Sequence, residues 1–369
     1  MTSDNPVPTC APTVLHLPSS VGGHAWGLSR GERALGLKSD VLTASRNWLN
    51  YPSDIQLSVD QASGNLRKLG EYSRAFLRYR KHYDIFHFNA GSSLIHSPHR
   101  GLNQTDLPWY PDHAKLFVTY NGCDARQKSP TVARTRISAC HDPRCYHGMC
   151  AYGAYDGLRR RAIEKMARHV QHMWALNPDL LYFLPPEKSS FLPYAMSSWN
   201  RLPHVPPHLG RVLKIIHAPT NRAAKGTDIV ISVIDQLLRK YPGRIDFEMI
   251  ENLPNEKALE RYATADIIID QILIGWYGGF AVEVMRMGKP VIARIAAEDL
   301  HFVPQAMAAD LDRALINADP QTLEDCLLRA LEDPEWLRLT GEAGREYVNR
   351  WHDPQYVASL TKARYDEAL

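Results

Sequence analysis

The stretch GWYGGFAVEVMRMGKPVIA, Gly275 to Ala293, joins a glycine pair to an apolar helical pattern and then to a short apolar run. Gly278 and Gly279 permit close backbone approach at a helix start, where unpaired N–H groups favour an anion. The helix expected over Phe280–Met287 carries one carboxylate, Glu283, about one turn in and flanked by Ala281, Val282, Val284 and Met285. A carboxylate so placed is stabilised by the helix dipole and can accept two hydrogen bonds from a diol; it can equally pair locally. Gly288 suits the helix end and Pro290 the opening of a strand over Pro290–Ile295.

The same alternation extends in both directions. Upstream, Val212–His217, Asp246–Ile250 and Ile267–Gln271 read as strands, with helices expected over Asp228–Lys240 and Asn255–Thr264. Downstream, Pro320–Leu331, Pro334–Asn349 and Pro354–Leu369 read as helices. In the first half the strand candidates are Thr13–Leu17, Asp40–Ala44, Asp84–Asn89, Lys115–Tyr120 and Met173–Leu176. Helices are expected over His24–Leu35, Leu66–Lys81 and Asp156–His172, and a turn over Asn177–Asp179. Continuous apolar strands separated by helices predict parallel sheets covered on both faces.

A proline-rich segment, Leu184–Leu209, separates the two halves. The expectation is two doubly wound α/β domains facing a cleft. The first is residues 1–195 with a cysteine-rich insertion at 123–150, and the linker is 196–210. The second domain is 211–350, and a final helix, 351–369, returns to the first. Ligands of such sheets bind beyond the carboxyl ends of the strands, so the cleft is the expected site.

The 369-residue chain has a formal charge of +3, with no clustered basic stripe for nucleic acid. No run reaches the ~18 apolar residues of a membrane span. The polar, proline-bearing N-terminus lacks the pattern of a secretory signal, so a cytoplasmic protein with reduced thiols is expected.

In KIIHAPTNRAAKGTD, Arg222 and Lys225 sit just before Gly226, on what reads as a loop after a strand. A diphosphate would suit them, Arg as a chelating fork and Lys as a point charge; a solvated basic loop is the alternative. Taken with the glycine–glutamate helix, these residues resemble the GT-B glycosyltransferases, in particular the retaining family-4 group. The resemblance is densest from Val212 to Ile295. It implies that Arg222, Lys225 and Gly226 hold the donor diphosphate and that Gly278, Gly279, Phe280 and Glu283 face the nucleotide, with Glu283 on the ribose. Asp270 and Gln271 end the preceding strand and could take polar contacts. The implied activity is transfer of a sugar from a nucleotide-diphosphate sugar to a carbohydrate or glycan acceptor, with retention. No catalytic metal is required, and Arg222, Lys225 and Glu283 are the central residues. The family's usual earlier glutamate falls at Gly275 here. Trp276 and Tyr277 either stack on base or sugar or pack between the lobes.

In the first half, VLHLPSSVGGHAWGLSRGERALG is not a dinucleotide fingerprint. By the resemblance, Gly22, Gly23 and His24 approach the donor phosphates, and His87, Tyr120, Asn121 and Asp124 line the acceptor side. His87 also reads as a core histidine. Four of the six cysteines, Cys123, Cys140, Cys145 and Cys150, fall in one segment with His141 and His147, a set that suits a structural zinc. Free thiols or a disulfide are the alternatives. The run Arg159–Arg161 is a solvated helix face or a peripheral contact with an anionic lipid. Two other functions fit the same features: a sugar-nucleotide epimerase or hydrolase, and a non-catalytic sugar-nucleotide-binding subunit.

Overall fold

A computed structural model describes residues 11–44, 51–59, 64–97 and 101–369. Seven strands build the first sheet: β1 (Thr13–Leu17), β2 (Lys38–Thr43), β3 (Ile55–Gln56), β4 (Ile85–Asn89), β5 (Lys115–Tyr120), β6 (His172–Ala175) and β7 (Ser189–Phe191). They lie in the order β3-β2-β1-β4-β5-β6-β7, all parallel. Five more build the second: β8 (Leu213–His217), β9 (Ile245–Met249), β10 (Ile267–Ile269), β11 (Val291–Ala293) and β12 (Ile316–Asn317). Their order is β12-β11-β10-β8-β9, again all parallel.

The central strands are mostly apolar because both faces of each sheet are covered there. In the first sheet Val14, Ile85 and Phe117 enter one core, while their neighbours Leu15, Phe86 and Val118 enter the other. In the second, Ile215, Ile267 and Ile269 face one layer of helices, and Ile216 and Ile268 the opposite layer. Each sheet reverses its winding at one place, between β1 and β4 in the first and between β8 and β10 in the second. At such switch points the loops diverge and leave a crevice. The Gly22–Gly23 turn leaves the first crevice, and the Arg222–Lys225 and Gly275–Gly279 segments leave the second.

The chain crosses between lobes twice. Tyr194, Met196, Trp199 and Leu202 of the first crossing are buried with Trp276, Tyr277 and Met285. The second crossing is at His352. Beyond it the helix Pro354–Ala368 lies on the N-lobe helix His24–Ala34. The approach is close enough that a Cβ on Gly31 would lie 2.0 Å from the Pro354 carbonyl oxygen. Under this helix, Tyr365 Oη donates to Glu32 at 3.0 Å and pairs with His87 Nδ1 at 2.5 Å. Glu32 also takes His16 at 2.8 Å and the Ser39 hydroxyl at 2.6 Å. Among the described residues no helix is long and apolar enough to cross a membrane.

Candidate active site in the interlobe cleft

The second lobe supplies a fixed cation. Asn221 caps a single helical turn, Arg222–Lys225, by accepting the Ala224 N–H at 2.9 Å. The turn ends at Gly226, whose φ of +80° and closeness to Ile272 (2.7 Å from a built Cβ) require glycine. Lys225 is buried, and its Nζ is paired with Asp270 Oδ1. The other oxygen of Asp270 accepts the Gly278 N–H at 2.8 Å. One buried carboxylate therefore gathers the lysine and the backbone donor that precedes the helix Gly279–Arg286.

The structure separates the two cations that the sequence places together on a loop. They lie on a helical turn, and only Lys225 lines the cleft. Arg222 is exposed and forms a two-point pair with Glu251, at 2.9 and 2.5 Å.

Glu283 lies inside the helix Gly279–Arg286, fully enclosed. Its Oε1 accepts the Ser198 hydroxyl at 2.6 Å, and Asn255 Nδ2 lies 3.4 Å from both oxygens. Burial raises its pKa to about 6, against the lowering effect of the Ser198 and Asn255 hydrogen bonds. Across from it, Gly22 and Gly23 both have positive φ, +70° and +72°. A Cβ on Gly23 would come within 2.5 Å of Ser197 Oγ, whereas the space over Gly22 is open. Ser197, Asn255, Trp26 and Tyr51 line a cavity of about 560 Å³ here. His24, expected beside the donor phosphates, is instead away from the open cleft. It is buried, its Nδ1 accepts the Ala195 N–H at 3.0 Å, and burial holds its pKa down at about 3. It anchors the first crossing as a neutral ring.

A second cavity, of about 220 Å³, opens beside Lys225 and Gly278 and is walled on the N-lobe side by Asn121, Cys123 and Arg126. Of the four acceptor-side candidates, only Asn121 lines it. Asp124 builds the turn instead, accepting the Asn121 and Gly122 N–H groups at 2.8 and 2.6 Å. Tyr120 is buried with its ring against Gly91. His87 is sealed in the core, hydrogen-bonded to Thr119 Oγ1 at 2.6 Å and stacked on Trp174. Trp276 and Tyr277 are also buried, stacked on each other, so they pack between the lobes.

Two ion pairs in this wall escape sequence reading. Arg126 grips Asp179 at 2.6 and 2.9 Å, and Arg134 reaches across the cleft to Asp299 at 2.7 Å. No local signal could have joined residues so far apart. Gly275 has a steric cause: a Cβ there would sit 2.6 Å from Ala296 Cβ and 3.3 Å from Arg294 Nη1.

No protein-family model and no curated protein sequence matches the chain. Solved structures do match over nearly its whole length. A sucrose-phosphate synthase from Thermosynechococcus elongatus aligns at 17% identity over 97% of this chain and 99% of that one, with a TM-score of 0.60. The catalytic domain of starch synthase IV from Arabidopsis thaliana, bound to ADP and acarbose, aligns at 12% identity over 97% and 99%, with a TM-score of 0.61. The chain has the GT-B fold. Another structure of this fold, a Listeria monocytogenes protein assigned as a UDP-N-acetylglucosamine 2-epimerase, aligns at 12% identity over 97% and 98%, with a TM-score of 0.52. In this GT-B chain Lys225 and Gly278 line the interlobe cleft from the C-lobe side, with the buried Asp270 behind them.

Proposed function

We propose that this protein is a glycosyltransferase that uses a nucleotide-diphosphate sugar and retains anomeric configuration. The observation that carries the reading is the convergence of Lys225 Nζ and the Gly278 N–H on Asp270 at the second switch point. A diphosphate entering there meets a fixed positive charge and a helix N-terminus. Glu283, a turn further on, takes the ribose hydroxyls, with Asn255 and Ser198 as its present partners. The Gly22–Gly23 turn adds N-lobe backbone beside Ser197, next to the Ser198 hydroxyl that Glu283 accepts.

Transfer breaks the bond between the anomeric carbon and the phosphate oxygen, and the acceptor oxygen forms the new bond on the same face. The acceptor proton passes to the departing phosphate. Negative charge grows on the diphosphate, and Lys225 stabilises it without reorganisation because Asp270 already holds it in place. Arg222 adds charge once released from its solvent-exposed pair with Glu251. No step in this scheme draws on a catalytic metal. The acceptor enters over the wall formed by Asn121 and Arg126.

The test is thermal stabilisation of wild type and Glu283→Ala by UDP, GDP, ADP, CMP and dTDP, followed by turnover of the matching sugar nucleotide with an acceptor panel. One base selectively stabilising wild type, and the mutant much less, supports the donor site; no shift with any nucleotide overturns it. A second reading, a sugar-nucleotide epimerase or hydrolase, is favoured by the fold shared with the Listeria monocytogenes protein, while Gly275 in place of the usual glutamate bears on a non-catalytic sugar-nucleotide-binding subunit. Isomerised or hydrolysed donor without any acceptor would select it. Tight nucleotide binding with no turnover would select a non-catalytic binding subunit.

A further inference from the structure

The cavity of about 220 Å³ beside Lys225 and Gly278 is walled by charged groups whose pairing is uneven. Lys225, Arg126 and Arg134 each hold a carboxylate at hydrogen-bond distance, those of Asp270, Asp179 and Asp299. Arg294 lines the same cavity and does not. Among the described residues its nearest carboxylate is that of Glu298, 3.8 Å away and half exposed, too far for a hydrogen bond. The Arg294 side chain is itself only 11% exposed. A guanidinium buried without a hydrogen-bonded counter-charge is unfavourable, and an arriving anion recovers that cost.

The position of Arg294 is fixed by the sheet. It follows β11, as Gly278 follows β10 and Lys225 follows β8, and these strands are neighbours in the order β11-β10-β8. The Arg294 N–H donates to the Gln271 carbonyl at 2.8 Å, and the Ala296 N–H donates to the Gly275 carbonyl at 2.9 Å, which ties the two loops side by side. A Cβ on Gly275 would lie 3.3 Å from Arg294 Nη1. A longer side chain there would cover the guanidinium; glycine leaves it open to the cavity.

The far wall does not cancel this charge. Cys123, Cys140 and Cys145 stand there. The zinc expected of them and Cys150 does not fit, because among the described residues no three of the four sulfurs lie within 4.8 Å of one another. All four are free cysteines, and burial pushes the Cys140 thiol up and the Cys145 thiol up to about 12, so both stay protonated and uncharged.

We propose that this cavity receives the sugar of the donor and that the sugar carries a carboxylate, bound by the Arg294 guanidinium. The inference rests on the nucleotide-sugar reading above. With the ribose at Glu283, beside the cavity that Asn255 lines, and the diphosphate at Lys225 and Gly278, the space left for the sugar is the Arg294 side. A hexose oxidised to an acid at C6 presents two coplanar oxygens, which match two N–H groups on one edge of the guanidinium. Arg294 belongs to the C-lobe, so the acid is assigned to the donor and not to the acceptor, which enters over Asn121 and Arg126. Glu298, half exposed, turns to solvent as the acid binds.

The test is calorimetric titration of the full chain with matched sugar nucleotides. The base is the one whose nucleoside diphosphate stabilises the protein best. Each pair sets glucose, galactose or mannose against the same hexose oxidised to a carboxylate at C6. In one pair the acid should bind about tenfold tighter than its neutral partner, or more. Arg294→Met should shrink that preference to less than about twofold and leave affinity for the free nucleoside diphosphate unchanged. Arg294→Lys, which keeps the charge without the fork, should fall between. Acid and neutral probes bound alike by wild type in every pair, or a full preference in Arg294→Met, overturns the proposal. Wild type alone can give the first result, so the test does not depend on a variant folding. If the free diphosphate binds and the acid gains nothing, this inference alone fails. If no nucleoside diphosphate binds, the donor-site reading fails and this one falls with it.

Discussion

Asp270 divides its carboxylate between the Lys225 ammonium and the Gly278 amide. The acid is almost fully enclosed and the lysine nearly so, so neither group is free to turn to solvent. The pair presets the position of one cation and one helix N-terminus before any ligand arrives. Its energetic cost falls on folding, not on the reaction.

Lys225→Met should strand Asp270 and lower stability by about 3–5 kcal/mol. It should also cut affinity for a nucleoside diphosphate by roughly ten- to a hundredfold while leaving the matching nucleoside unaffected. Calorimetric titration of both ligands checks this; equal losses for the two would remove Lys225 from the phosphate. Arg222→Ala, at an exposed pair, should leave the melting temperature unchanged.

Glu283 titrates near pH 6 in the folded chain, above the 4.5 of an exposed glutamate. The folded state then holds a proton that the unfolded state has lost, so stability falls as pH rises from about 4.5 to 6. Above that window the full penalty, on the order of 2 kcal/mol, is present. Glu283→Gln should therefore be more stable than wild type at pH 7.5 and indistinguishable from it at pH 4. If the residue faces the ribose, the same variant should bind nucleotide more weakly at pH 7.5. Melting curves at the two pH values, with and without nucleotide, separate these effects.

Gly275→Ala places a methyl group against Ala296, and the overlap should cost about 1–3 kcal/mol. Ala296→Gly in the same chain should recover most of that loss. A fully stable Gly275→Ala single variant would show that this loop yields easily, and that the steric account of the missing glutamate is wrong.

Tyr365→Phe removes the hydroxyl shared by Glu32 and His87. The buried carboxylate keeps His16 and Ser39, so the expected cost is about 1–3 kcal/mol. Chemical denaturation measures it. A change of less than a few tenths would mean that the Tyr365 hydroxyl adds nothing to the apolar packing and the Thr361–Glu32 contact of the last helix.

Much of this fold is legible in the sequence because its strands are buried on both faces. β1 and β5 are built around the apolar runs Val14–Leu15 and Leu116–Val118, and their expected limits, Thr13–Leu17 and Lys115–Tyr120, are the observed ones. The edge strands β3 and β12 have two residues each, too few to show a period. The helix Gln305–Ala314 is short and buries only Met307, Leu311 and Ala314, a stripe of three residues too sparse to stand out in the sequence. At the site, Lys225 and Glu283 announce themselves through neighbouring glycines. The partners that define their chemistry, Asp270 for one and Ser198 and Asn255 for the other, come from distant segments, as does the Arg126–Asp179 grip. Depth was the other blind spot. His24, Tyr120 and His87 stand at plausible places along the chain, but their strands and turns carry the side chains inward.

The two crossings between the lobes are tied to each other at one place. His352 Nδ1 donates to the Tyr194 carbonyl at 2.9 Å, and its Nε2 accepts from Tyr277 at 2.8 Å. Tyr277 is in turn bonded to Tyr347 at 2.6 Å. Two connections clasped together behave as a single knuckle. Away from that knuckle, Arg134–Asp299 and Arg144–Asp228 join the same two lobes by charge, so buried hydrogen bonds and polar bridges set their spacing together.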